Sequence, residues 1–124
     1  ETKSKEKIML EREVYDTITY CANEKCAIVW VTLDMLKSLN IGEDEIEGLA
    51  SIPRQIEGVL IGITMKEKEG GFFKISVRTN GDIDAAKFCS KFGGGGHKAA
   101  AGCSINGSLE DVRSQLIKAA EETL

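Results

Sequence analysis

The sequence predicts an α+β domain (α/β in looser usage), a mixed sheet of about five strands with helices packed over it. Three stretches carry that prediction. Val59, Ile61, Ile63 and Met65 alternate with Leu60, Gly62 and Thr64. After a turn over 66–71, Phe73, Ile75 and Val77 alternate with Lys74, Ser76 and Arg78, so the pair reads as a hairpin with one buried face. Ala85, Phe88, Cys89 and Phe92 then recur at i, i+3, i+4 and i+7, the apolar stripe of a helix. Leu109, Val112, Leu116 and Ala119 repeat the helical spacing behind Ser108 and Asp111, which are placed as a capping box.

The remaining elements follow in chain order. Residues 1–15 are charge-rich and helical in pattern, with Leu10 and Val14 four apart. Residues 17–22 and 26–32 are rich in Thr, Tyr, Val, Ile and Trp around Asn23-Glu24-Lys25, which predicts a second hairpin. Thr32 caps a short helix ending near Gly42, and Glu43 to Leu49 forms a short acidic helical turn that Pro53 stops. Asp82 caps the helix that runs through Phe92. In residues 99–105, Ala101, Cys103 and Ile105 alternate with Gly102 and Ser104, the pattern of a last strand.

At 124 residues the chain is long enough for one modest core, and 42% hydrophobic with 29% charged residues places it among ordinary globular domains. No apolar run reaches membrane-spanning length, and no basic–apolar–small leader opens the sequence. The start at Glu1 without Met predicts an excised domain or a trimmed chain. Cys21, Cys26, Cys89 and Cys103 include no C-x-x-C, and a single His cannot complete a zinc set with them, so all four are expected to be reduced core or near-core thiols of a cytoplasmic protein, with no metal. The formal net charge is −4, yet residues 72–98 carry Lys74, Arg78, Lys87, Lys91 and Lys98 against only Asp82 and Asp84. That favours a local anion site over a surface that coats nucleic acid. Part of this block has a plainer explanation as the solvated face of the helix bearing Lys87 and Lys91.

Between the helix and the last strand lies Phe92-Gly93-Gly94-Gly95-Gly96-His97-Lys98-Ala99-Ala100-Ala101-Gly102. Glycine runs are usually flexible linkers. This one has sharp borders, and bare amides followed by His97 and Lys98 are what an anion site requires. It is not a P-loop, because Lys98 is followed by Ala99 and no hydroxyl is placed for magnesium. Gly94, Gly96 and Ala99 match the degenerate dinucleotide pattern, but that pattern follows a strand and opens a helix, and the order here is reversed. Arg78, at a strand end before Asn80-Gly81, can reach past the sheet edge and grip a phosphate with both guanidinium nitrogens, although most such arginines simply face solvent.

The string Gly93-Gly94-Gly95-Gly96-His97-Lys98-Ala99-Ala100-Ala101-Gly102 closely resembles the signature of the DHH-associated domain, the C-terminal half of the DHH phosphoesterases. Ile52-Pro53-Arg54-x-Ile56-Glu57-Gly58-Val59, Lys74-Ile75-Ser76-Val77-Arg78-Thr79 and Gly81-Asp82-Ile83-Asp84 extend the resemblance in the family's order, over most of residues 10–120. The likeness is strongest to the branch of bacterial oligoribonucleases (nanoRNases) and pAp phosphatases, beside RecJ-like proteins.

The resemblance implies a substrate-binding domain over residues 16–124, joined through residues 1–15 to an N-terminal DHH catalytic domain that holds manganese. It further implies that Arg78, Gly93, Gly94, Gly95, Gly96, His97 and Lys98 bind the phosphate or nucleotide of short single-stranded RNA or DNA, of pAp, or of linear or cyclic dinucleotides. Hydrolysis needs a metal-held water and a cluster of Asp and His ligands, and one His with no Asp-His-His cannot supply it. The chain alone is therefore expected to be inactive and free of cofactor, with His97 an assisting donor at most. The rival expectation is a nucleic-acid-binding accessory domain of the alanyl-tRNA synthetase type, without hydrolytic activity.

Overall fold

In the computed structural model of the protein, residues 2–124 are described. Six strands form one sheet: β1 (Thr19–Cys21), β2 (Cys26–Val31), β3 (Ile61–Lys68), β4 (Phe72–Thr79), β5 (Gly95–Gly96) and β6 (Ala100–Asn106). Four helices accompany them: α1 (Lys5–Asp16), α2 (Leu33–Leu39), α3 (Ala85–Ser90) and α4 (Leu109–Thr123). The spatial order is β1-β2-β3-β4-β6-β5, with only β2 and β3 parallel. The fold is α+β, and the strand beyond the expected five is the glycine pair itself.

The two faces of the sheet are covered differently. On one face Ile28, Ile61, Ile63, Met65, Ile75, Val77 and Cys103 pack with Phe88 and Cys89 of α3 and with Val112, Leu116 and Ala120 of α4. On the other face α1, α2 and the 3-10 turns Leu49–Ser51 and Pro53–Gln55 cover mainly β2 and β3, with Leu49–Ser51 reaching β4, and there Leu10, Val14, Val29, Val31, Leu36, Leu49 and Ile52 form a second core. Among the described residues no α-helix covers β4, β6 and β5 on that side, where only the turn Leu49–Ser51 reaches the β4 edge.

Local chemistry explains most element ends. Ser4, Thr32, Asp84 and Ser108 each accept a backbone N–H at the start of a helix. The cap of α3 is Asp84, not Asp82 as the sequence suggests. The Thr79 hydroxyl lies 2.8 Å from the Ile83 carbonyl, which holds the segment after β4 as a turn and delays the helix by two residues. The same helix ends at Ser90, short of Phe92. The long hairpin also differs from expectation. Gly70 and Gly71, at φ +100° and +80°, make a tight turn, so β3 continues through Lys68 and Lys66 belongs to a strand. Val59 falls before that strand, buried in a turn.

Candidate functional site

Register sorts the sheet face opposite α3 and α4 into three rows, in which Gly62 and Thr64 of β3 are buried under the 3-10 turns and the β4, β6 and β5 positions are at least partly exposed. Gly62 faces Arg78, which faces Ala100; Thr64 faces Ser76, which faces Gly102 and then Gly95; Lys66 faces Lys74, which faces Ser104. The floor is made of small or hydroxylic residues interrupted by three cations. None of the chain's 20 acidic residues occupies a position in these rows. The wall on one side is the turn Pro53–Gln55. A Cβ on Gly62 would stand 2.6 Å from the Arg54 amide nitrogen, so only glycine lets that turn lie against the sheet. Asn80 Nδ2 ties the wall down by donating to the carbonyls of Arg54 (3.2 Å) and Val59 (2.9 Å).

The opposite rim is the glycine segment, and it is no linker. Gly93, at φ +79°, closes the turn after α3, where the amides of Gly93 and Gly94 donate to the carbonyls of Ser90 (3.1 Å) and Cys89 (3.0 Å). The chain then lies along β6. The His97 amide donates to the Ala100 carbonyl at 2.8 Å and the Ala100 amide returns to His97 at 3.3 Å, which closes the turn His97–Ala100. That turn is anchored from beneath. The Lys98 carbonyl accepts from the Ala85 amide at 2.6 Å and lies 3.1 Å from the Thr79 hydroxyl, and the Ala99 carbonyl accepts from the Thr79 amide at 3.1 Å.

The four glycines have different reasons to be glycine. A Cβ on Gly94 would collide with the Gly102 carbonyl and stand 2.6 Å from Cys103 Cβ. One on Gly96, at φ +150°, would stand 2.6 Å from Ala101 Cα. Gly93 needs its left-handed backbone. Gly95 has no such constraint: its backbone is not left-handed, and nothing lies within 4 Å of the place its Cβ would take. Because Gly95 faces Gly102, that empty place is on the uncovered face, in the row of Ser76.

The amides divide in the same way. Those of Gly93, Gly94 and His97 are engaged within the chain. Antiparallel pairing alternates, so with His97–Ala100 and Gly95–Gly102 as hydrogen-bonded pairs, Gly96 directs its N–H out of the sheet edge. The amides of Lys98 and Ala99 donate to no backbone carbonyl among the described residues.

Of the sequence-predicted residues, the structure brings Arg78, Gly95, Gly96 and His97 to one surface. Arg78 is half-buried at the end of β4, where one guanidinium nitrogen donates to the Val77 carbonyl at 3.3 Å. His97 is exposed and sits in the row of Arg78, two strands away, a distance of about 10 Å at ordinary strand spacing. Lys98 is not brought to this face. It lines a cavity of about 590 Å³ on the helix side with Lys87, Lys91, Phe88, Asp82, Asp84 and Glu122. The basic block of the sequence is therefore split between two surfaces, and the helix-side part is neutralised by carboxylates.

One cation of the face, Lys66, is absent from the sequence-based set. Burial, and then the charges of Lys74, Lys68 and Arg78, push its pKa below the ordinary lysine range, against a smaller opposing effect of Glu47. Extending the Gly62, Thr64 alternation by one more step finds it.

The thiols are free: Cys21 is half-buried and Cys26, Cys89 and Cys103 are buried. Cys21 faces Cys26 across β1 and β2; the neighbouring Cys21 thiol and burial raise the pKa of Cys26, and Cys103 and burial do the same to Cys89. Among the described residues no group of three or more His, Cys, Asp or Glu converges to hold a metal ion. Among the described residues no helix is long and apolar enough to cross a membrane.

Comparison with known proteins places this face in context. Over 83 residues, 66% of the chain, the protein is 30% identical to the bifunctional oligoribonuclease and PAP phosphatase NrnA of Thermus thermophilus, and the match spans 25% of that protein. An exopolyphosphatase-related protein from Bacteroides fragilis superposes with a TM-score of 0.85 at 23% identity, over 98% of this chain and 36% of that one. The C-Ala domain of alanyl-tRNA synthetase from Aquifex aeolicus superposes with a TM-score of 0.57 at 16% identity, over 80% of this chain and 89% of that domain. The chain thus spans a quarter to about a third of the first two proteins. Residues 23–124, from the β1–β2 turn through the glycine edge to the end of α4, match the DHHA1 domain, and the chain belongs to that family.

Proposed function

We propose that the uncovered sheet face and its glycine edge hold the phosphate or 5′-nucleotide end of a short oligonucleotide or nucleotide phosphate. In this reading the chain is the substrate-binding part of a DHH phosphoesterase, and the metal ligands and the hydrolytic water belong to a DHH domain outside residues 1–124. The observation that carries the proposal is Gly95. It is the one glycine of the run that neither backbone conformation nor packing requires, and the space above it opens onto rows whose only charged side chains are Arg78, Lys66 and Lys74.

A phosphate seated there meets Arg78, whose planar guanidinium offers two parallel donors to two oxygens. The outward Gly96 N–H donates from the rim without any side chain to reorganise. The His97 ring, across the row from Arg78, donates to a third oxygen and stands where a leaving oxygen would need a proton. Lys98, from the helix side, adds only a remote charge. These groups bind and orient; nothing in the chain generates a nucleophile. The 30% identity to NrnA supports the phosphoesterase reading, whereas the likeness to C-Ala is one of fold.

Titration of the isotope-labelled protein with AMP tests the proposal. The largest amide shifts are expected at Gly95, Gly96 and His97, with millimolar-range affinity for so few contacts, and both are expected to vanish in Arg78→Ala. Shifts centred on the Cys21–Cys26 hairpin or on the Lys87–Lys91 cavity would place the site elsewhere.

A further inference from the structure

On the same face, two rows from Arg78, Lys66 and Lys74 stand directly opposite each other on neighbouring antiparallel strands. Like charges in that arrangement destabilise a sheet. Glu47 offsets them only in part: among the described residues the only ion pairs are Lys3–Glu11 and Lys68–Glu43, and neither Lys66 nor Lys74 donates to a side chain. Lysines are often placed on edge strands to block aggregation, but β3 and β4 are interior strands of the six. Solvation alone accounts for Lys74, which is exposed, and not for Lys66, which is half-buried. The position of the pair along the sheet supplies the missing reason. Lys74 lies four residues from Arg78 on β4, about 13 Å at the rise of a strand. A stacked single strand rises ~3.4 Å per nucleotide and an extended one more, so the separation matches the reach of about two to four nucleotides.

We propose that Lys66 and Lys74 form a second phosphate subsite. A short single-stranded oligonucleotide anchored by its terminal phosphate at Arg78 runs along β4 over Ser76 and Gly102, and a later backbone phosphate settles between the two ammonium groups. The pair thereby selects oligonucleotides over mononucleotides, and ligand charge removes the repulsion that the free protein carries. This inference rests on the nucleotide reading of the face and adds the length of its ligand.

The test compares AMP with 5′-phosphorylated tetraadenylate, both titrated into wild type and into a Lys66→Met, Lys74→Met double variant. Wild type is expected to bind the tetranucleotide at least tenfold more tightly than AMP. The double variant is expected to lose most of that preference while its AMP affinity stays within twofold. Its slope of log affinity against log salt for the tetranucleotide should fall by about 1.4, two charges at ~0.7 each for a single strand. Lys66→Arg with Lys74→Arg should restore the preference. If the double variant does not fold, Lys74→Met alone, at an exposed position, gives the same comparison with half the change in slope. Undiminished preference and slope in a folded variant, or equal losses for both ligands, would overturn the subsite while leaving the Arg78 site standing. A wild type that binds neither ligand would overturn the nucleotide reading itself.

Discussion

At the scale of single residues, the glycine run divides into positions that serve the fold and one that does not. Gly94 serves the fold: its Cα packs against the backbone of Gly102 and Cys103, with no flexible side chain able to yield. Gly94→Ala should therefore destabilise the protein by about 1–3 kcal/mol, the usual cost of overpacking an interior, or more because backbone must move. Urea denaturation of the variant measures it, and an unchanged midpoint would show that the β5–β6 approach is looser than described. The sequence shows a glycine run but not this division. All four residues look alike as letters, and their differences arise from what β6 places beside each. Lys66 is hidden for a related reason. In Lys66-Glu67-Lys68-Glu69 the alternation of charge looks like a solvated turn, which masks the continuing Gly62, Thr64 alternation that the pairing with Phe72–Lys74 makes plain.

At the scale of elements, the site depends on how β4 ends. Thr79 is almost fully buried, and its hydroxyl lies between the Ile83 carbonyl before α3 and the Lys98 carbonyl of the glycine turn. Thr79→Val keeps the shape and removes the donor. The Lys98 carbonyl retains the Ala85 amide, but the Ile83 carbonyl loses its part-buried hydroxyl partner, at a cost of about 1 kcal/mol for one net hydrogen bond. Hydrogen exchange should then show faster opening of the His97 and Ala100 amides than of the β3–β4 ladder; equal protection in both would mean that the hydroxyl does not anchor the turn. The elements read most easily from sequence are those with one wet and one dry face. Phe73 to Val77 alternates because α3 and α4 cover only one side of it, whereas Ile61 to Met65 is buried on both faces and alternates because the small Gly62 and Thr64 face the 3-10 turns. β5 has no side chains to alternate, and its strand character comes entirely from the edge of β6. The parallel pairing of β2 with β3 likewise leaves no local trace, since it is set by the crossover through α2.

At the scale of the whole molecule, the sheet is a partition. Its helix side holds the main core, and its other side is half covered by α1, α2 and the 3-10 turns and half left open as a polar, cationic floor. That asymmetry positions Arg78, Gly95 and His97 together although 19 residues separate Arg78 from His97 in the chain. The motif was legible in the sequence through its resemblance to a known signature, while the face it borders was legible only in part, because rows across strands follow from register and not from spacing along the chain. The central claim is that the chain orders its own glycine edge and leaves Gly95 bare for a ligand. Gly95→Ala tests it most directly, with melting temperature and AMP affinity measured on the same preparation. The account predicts an unchanged or slightly raised melting temperature, since a compatible Gly→Ala change stabilises by about 0.4–1 kcal/mol, together with at least a tenfold loss of nucleotide affinity. Unchanged affinity in a fully folded variant would contradict it.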